Sequence, residues 1–267
     1  MKSLTDTPVS PPPAEATGMT GAVWAALGTV RDPELDEPIT TLGFVASCTV
    51  SSEGQAQVRL RLPTYFCAPN FAFLMVADAY DAVTGAAGVR SAEVILDDHF
   101  ASDAINAGVA ARAGFVASFD GEAAAELDEL RAAFLRKAVL AGTDLVCRPL
   151  AARGRTPAEL AAMTLGEAPA SPELTRLRRR RGDLGLPADD GAPLIVDPAT
   201  GAPLAPDGIS LHLRRAALTR TGIEANTSIC SGMLRARYPQ PAGSAEETPG
   251  GFREGRTTPQ VSLRARR

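Results

Sequence analysis

The chemistry open to this chain rests on four cysteines (Cys48, Cys67, Cys147 and Cys230) and two histidines (His99 and His212). No two cysteines form a C-x-x-C pair, so a structural zinc site, which needs four clustered Cys/His ligands, is nearly excluded. At 267 residues a disulfide scaffold is equally unsupported. The phosphate-binding patterns G-x-x-x-x-G-K-[ST] and G-x-G-x-x-G do not occur. Neither do the G-x-S-x-G elbow and H-E-x-x-H. With its two histidines far apart in sequence, the chain has little material for a His-based hydrolase.

Cys67 stands out by its position. It lies in Arg61-Leu62-Pro63-Thr64-Tyr65-Phe66-Cys67-Ala68-Pro69-Asn70, between an expected strand and an expected helix. A thiol just before a helix N-terminus faces the positive end of the helix dipole, which favours thiolate. Thiolate is the form that binds iron or attacks sulfur. Arg59 and Arg61 add positive field where the geometry allows. The plain alternative is a loop cysteine with no role. Cys48 alternates with Phe44 and Val50 and reads as a small core residue. Cys147, before Arg148-Pro149, is uncommitted. Cys230 follows Asn226-Thr227-Ser228-Ile229, and sequence does not place it against Cys67. Asp97-Asp98-His99, at a strand end, can ligate a metal, but a solvated loop is the preferred reading. Arg176 and Arg178 to Arg181 can bind an anion or an acidic partner, yet a solvated helix face is preferred there too.

Three blocks must position these residues. In the first, Thr20 caps a short helix carrying Val23, Trp24, Leu27 and Val30. After the break at Asp32-Pro33-Glu34 comes a strand from about Leu42 to Val50, with Phe44, Ala46, Cys48 and Val50 on one face. Ser51-Ser52-Glu53-Gly54 forms a hairpin turn. The return strand, Gln55 to Leu62, places Val58, Leu60 and Leu62 inward and Gln57, Arg59 and Arg61 outward. A helix from near Asn70 to Val83, ended by Gly85, and a strand from Val89 to Leu96 complete the unit. The second block is helical. Ser102 caps one helix, and Asp120 caps a longer one from Glu122 to Ala141, stopped by Gly142. Thr156-Pro157 opens a third helix, which Gly166 stops. Ser171-Pro172 opens a fourth, the bearer of the arginine cluster. The third block opens on a short hairpin around Asp197 to Gly201, followed by a helix from about Ser210 to Thr219.

The fold class is therefore α/β: a small α-β-β-α-β domain, a mainly helical extension with a short hairpin, and disordered termini. The boundaries are residues 1–18 for a disordered tail, 19–100 for the α/β domain, 101–238 for the extension and 239–267 for a disordered basic tail. The apolar fraction of 45% permits a sizeable core, and with only 5% aromatics that core must rest on Ala, Val and Leu. A net charge of −4 argues against a general nucleic-acid or membrane-surface binder. No run of 18 apolar residues and no signal-peptide pattern are found, so a cytoplasmic protein with reduced thiols is expected.

Residues Val23 to Phe100 resemble the small MIP-type iron–sulfur assembly domain shared by SufT, the PaaD protein of phenylacetate oxidation and the cytosolic iron–sulfur targeting factors. The resemblance rests on Asp32-Pro33-Glu34-Leu35, on Ile39-Thr40-Thr41-Leu42-Gly43, and on the turn Pro63-Thr64-Tyr65-Phe66-Cys67, which is close to the Pro-Thr-Tyr sequence of the PaaD branch. Relatives place the cysteine four residues after the threonine and directly before a proline. Here Cys67 comes three after Thr64, and Ala68 separates it from Pro69. The segment Leu62 to Met75 also resembles a longer subtype found beside bacterial binuclear-iron alkane monooxygenases.

This resemblance implies an accessory, non-enzymatic maturation factor for iron–sulfur clusters or iron centres. It implies a transient iron–sulfur cluster on Cys67, with Thr64, Asp32 and Glu34 as cofactor-binding residues. It also implies a client metalloenzyme such as a binuclear-iron monooxygenase. One cysteine per chain leaves a cluster incompletely ligated, so a homodimer, a partner or a small thiol must supply the rest. Such ligation is labile and suits transfer. The bland role of Asp32 and Glu34 is to end the first helix, with Pro33 stiffening the turn. The alternative is a metal-free binding module acting as a folding or assembly chaperone for a monooxygenase subunit. A Cys67 thiol enzyme is disfavoured by the shortage of histidine as base.

Overall fold

The computed structural model of the chain describes residues 18–119 and 125–239. Its first unit runs α1 (Gly18–Leu27), β1 (Val45–Val50), β2 (Gln55–Leu60), α2 (Pro69–Thr84) and β3 (Ser91–Leu96), the expected α-β-β-α-β order. β2 is central, antiparallel to β1 and parallel to β3. A parallel pair cannot be joined by a tight turn, so α2 forms the crossover. Ala56, Val58 and Leu60 are buried in alternation with exposed Gln55, Gln57 and Arg59. The register aligns Val58 with Val94 and Leu60 with Leu96. Val23 and Leu27 of α1, and Phe73, Val76 and Val83 of α2, cover this face. The hairpin turns where expected. Gly54 sits at φ 80°, and a Cβ there would lie 2.4 Å from the Gly88 carbonyl oxygen.

Several element ends differ from expectation. α1 starts at Gly18, so Thr20 lies in its first turn and is not its cap, and Gly18 is helical rather than the end of a tail. β1 starts at Val45, not Leu42. The N–H groups of Leu42, Gly43 and Phe44 are spent in a turn, donating to the carbonyls of Pro38, Thr40 and Ile39. A bulge between Val45 and Ser47 then lets Phe44 and Val45 bury together. Arg61 was expected to face outward. It is buried beyond the end of β2, 4.8 Å over the Tyr238 ring, with Nε donating to the Gly43 carbonyl at 3.3 Å.

The extension is helical: α3 (Ser102–Ala110), α4 (Gly114–Ser118), α5 (Asp128–Ala152), α6 (Pro157–Ala162), α7 (Pro172–Asp183) and α8 (Ile209–Arg237). Ile105 and Val109 of α3 join the first core. Val139, Cys147, Leu150, Leu177, Leu194 and Ile209 belong to a second. Ser102 is the first residue of α3, and Ala101 occupies its cap position. The expected Asp120 cap and Glu122 start, like the expected tails apart from Gly18 and Pro239, lie outside the described residues. α5 does not stop at Gly142. α7 packs closely on that glycine, with Leu177 Cδ1 3.3 Å from where a Cβ would be. α6 starts with the Thr156–Glu159 capping box but ends at Ala162, because Thr164 leaves to bridge Pro193. Ser171 caps α7 through the Leu174 N–H. The expected hairpin is a turn closed by the single bridge Val196–Pro203, its loop tied by Asp197 Oδ1 to the N–H groups of Ala199 and Thr200. α8 does not stop at Thr219. It continues through Gly222 for 29 residues, held against α5 by Arg220–Asp144 at 2.6 Å. Among the described residues, no helix is long and apolar enough to cross a membrane.

The arginine cluster on α7 is not a solvated face except at Arg179, which stays exposed. Arg181 is fully buried and donates to the carbonyls of Pro193 (2.8 Å) and Leu194 (2.6 Å). Arg178 pairs with Asp190 at 2.7 Å. Arg176 pairs with Glu37 at 2.9 Å, and buried Arg180 pairs with Asp36 at 2.5 Å and Asp183 at 3.0 Å. These last two arginines join the extension to the α/β domain. Removing one partner of a buried pair strands the other charge, so Arg180→Ala is expected to lower the unfolding free energy by about 3 kcal/mol, as read by urea denaturation.

Candidate functional site

The site begins at the loop after α1. Asp32 is 7% exposed, and its Oδ1 accepts the N–H groups of Glu34 (2.9 Å) and Leu35 (2.8 Å). The backbone closes around it, Asp36 N–H donating to the Asp32 carbonyl and Asp32 N–H to that of Glu37. α1 has already ended at Leu27, so Asp32 builds its own turn and does not terminate the helix. Oδ2 accepts no hydrogen bond among the described residues. Burial, with a smaller contribution from the Glu34 carboxylate, pushes Asp32 up to about 6 against the pull of its two backbone donors.

Cys67 lies on the loop between β2 and α2, directly before Ala68, the cap position of that 16-residue helix. It is half-buried, with Sγ 3.3 Å from the Thr64 hydroxyl. The loop is fixed from behind by His99. That ring is 3% exposed, and its Nδ1 accepts the Ala101 N–H. Nε2 therefore carries the proton and donates to the Cys67 carbonyl at 2.7 Å. Burial holds His99 below its usual range, keeping it neutral for this role. His99 is thus neither solvated nor a metal ligand. Its neighbours are occupied too, Asp97 by Arg59 and Asp98 by Arg237 and Tyr238. On the outer side of the loop, Tyr65 (44% exposed), Phe66 (77%) and Phe100 (49%) pack edge-on or tilted against one another with ring centroids 5.0 to 6.3 Å apart.

The third part comes from the stretch of α8 beyond Thr219, where sequence reasoning expected no helix. Asn226 donates to Glu34 Oε1 at 3.3 Å. Eleven residues later, Arg237 donates to the carbonyls of Leu62 (3.2 Å) and Asp98 (2.6 Å). Between them, Leu234 is buried in the first core and Cys230 packs against it, as Cys67 does. Burial pushes the Cys230 thiol up, and the negative charges of Asp32, Cys67 and Glu34 push it further. Neither Asp32 nor Glu34 bonds the Cys67 loop. Cys230 lies within the electrostatic reach of all three. Asn226, His99 and Cys230 are residues that sequence reasoning named but did not assign to this site. One signal was available: no proline falls between Pro206 and Pro239, which permits one long helix.

The other thiols lie elsewhere. Cys147 is sealed in α5, pushed up to about 12 by burial and Asp144. Cys48 is half-buried on β1, its thiol raised by burial. Among the described residues, no three His, Cys, Asp or Glu side chains are grouped closely enough to hold a metal ion by themselves.

Residues 20–94 match the family model described as Iron-sulfur cluster assembly protein. The match ends inside β3, so it contains Asp32, Glu34, Thr64 and Cys67 but not His99 or Cys230. It supports a general role in iron–sulfur assembly. No curated protein and no solved structure matches the chain.

Asp32 binds its proton more tightly folded than unfolded, so its contribution to stability is present below its unfolded value near 3.8 and is lost as pH rises through about 6. Asparagine keeps the two N–H contacts without the charge. Asp32→Asn is therefore expected to raise the unfolding free energy at pH 7.5 by about 1 to 3 kcal/mol, a gap that closes toward pH 4. Urea titrations at the two pH values measure it.

Proposed function

We propose that this protein is an accessory factor for assembly of iron–sulfur clusters or iron centres, and that Cys67 carries the iron to a client metalloenzyme. The observation behind this reading is the presentation of one thiol on a fixed loop, inside the segment that matches the iron–sulfur assembly family. Thiolate is a strong ligand for iron, and Thr64 holds Sγ where a hydroxyl can hydrogen-bond the ligated sulfur. Among the described residues too few ligands are grouped to keep a cluster, so the remainder comes from the cargo's own sulfides, a small thiol or another chain. Incomplete ligation favours hand-over.

The exposed Tyr65, Phe66 and Phe100 beside Cys67 support client docking, since aromatic residues at such density anchor protein interfaces. A binuclear-iron monooxygenase is the proposed client class, and the cytoplasm the proposed compartment. The second reading, a metal-free chaperone for a monooxygenase subunit, draws on the extension's own core, a large folded part outside the matched segment.

Anaerobic reconstitution with ferrous iron and sulfide is expected to give visible sulfur-to-iron charge-transfer absorption, lost in Cys67→Ser. A colourless, iron-free parent protein would overturn iron carriage. Undiminished capture of a monooxygenase subunit by Cys67→Ser would then favour the chaperone reading.

A further inference from the structure

We infer that Cys230 is a second thiol of the Cys67 site, so that the helical extension and the family-matched domain together form a two-thiol half-site for a thiophilic divalent cation such as ferrous iron. This rests on the reading of Cys67 as an iron carrier and adds a residue that the matched segment does not contain.

The geometry of α8 supports it. Asn226, Cys230, Leu234 and Arg237 are spaced four, four and three residues apart, which places them on one helix face. Three of the four have known positions. Asn226 is on Glu34, Leu234 is in the first core beside Gly43, and Arg237 is on the Leu62 carbonyl, five residues before Cys67. Cys230 is therefore held between the Asp32–Glu34 turn and the Cys67 loop. Like Cys67, it is partly buried against the first core.

The electrostatics indicate a cation. Asp32 is buried as a residue, its Oδ2 has no protein hydrogen-bond partner but is open to solvent, and it forms no ion pair among the described residues. The carboxylates of the turn that this helix face meets, Asp32 and Glu34, form no salt bridge among the described residues, and the only side-chain hydrogen bond from α8 to them is that of the neutral Asn226 amide. The arginines of the surrounding segments are committed elsewhere, Arg31 to Asp36, Arg61 to Tyr238 and Gly43, Arg237 to Leu62 and Asp98. A pair of thiols with surplus negative charge is a poor disulfide former, because oxidation needs the thiolate. A divalent cation reverses the balance. It binds both sulfurs as thiolates, releases two thiol protons to solvent and needs no oxidant or reductant. Soft sulfur ligands select thiophilic metals. Asp32 acts here as a positioning residue that supplies charge from behind the sulfurs.

The test uses the reduced, full-length chain without oxygen, with cobalt(II) as a spectroscopic substitute for iron. Cobalt is expected to bind one per chain with sulfur-to-cobalt charge transfer. The intensity should fall by about half in Cys67→Ser and in Cys230→Ser, with affinity reduced about tenfold or more in each. Cys48→Ser should match the parent. Asp32→Asn should weaken affinity but keep the full intensity, because it removes charge and not sulfur. Alkylation of the unmutated protein, mapped by mass spectrometry, provides a readout independent of variant folding. Cobalt should shield Cys67 and Cys230 together and leave Cys48 unaffected. Parent-like cobalt binding by Cys230→Ser, alkylation of Cys230 despite bound cobalt, no cobalt binding, or a Cys67–Cys230 disulfide in place of metal would each overturn the inference. Iron reconstitution that depends on Cys67 but not on Cys230 would overturn it and leave the carrier reading intact. Reconstitution that depends on neither thiol would overturn both.

Discussion

The six-residue loop from Asp32 to Glu37 organises the molecule, because its four carboxylates serve two sides. Asp32 holds the turn by accepting two consecutive backbone N–H groups. With that turn fixed, Asp36 and Glu37 meet Arg180 and Arg176 of α7, joining the two cores. Glu34, two residues earlier, meets Asn226 of α8. One local hydrogen-bond pattern thus orients a salt-bridged seam and one wall of the candidate site. Pro33 contributes by fixing its own φ within the turn.

Asp32 also illustrates the cost of building such a site. A buried carboxylate with no ion-pair partner among the described residues is destabilising in the folded chain, and its raised proton affinity reflects this. A neutral residue with the same shape could hold the turn. Sites that must hold a cation commonly keep charge that folding alone does not favour. The two arginines on α7 have the opposite character, since their partners are already in the chain and their role is structural.

α8 makes the extension more than an appendage. Its first half packs in the second core through Ile209, and its last turns enter the first through Leu234. The same helix presses Arg237 and Tyr238 against Asp98, the residue beside His99. His99 in turn holds the Cys67 carbonyl. The loop that presents the thiol is thus supported from β3, from α8 and from its own threonine, while the aromatic side chains next to it remain in solvent.

Much of the α/β unit was legible in the residues. The period-two burial of Ala56, Val58 and Leu60, the turn at Gly54 and the helix after Pro69 follow from local rules, so their order was determined by sequence alone. So was the distinction of Cys67, since its place before a helix is a local fact. What only the tertiary structure decided depends on contacts between distant segments. Gly142 and Gly222 look like helix ends, yet the packing of α5 on α7 and α8 outweighs a glycine's cost of about 1 kcal/mol. The α7 arginines look solvated until Asp36 and Glu37 are brought to them. Cys230 has no local signature, because its significance lies in the 162 residues that the fold closes between it and Cys67.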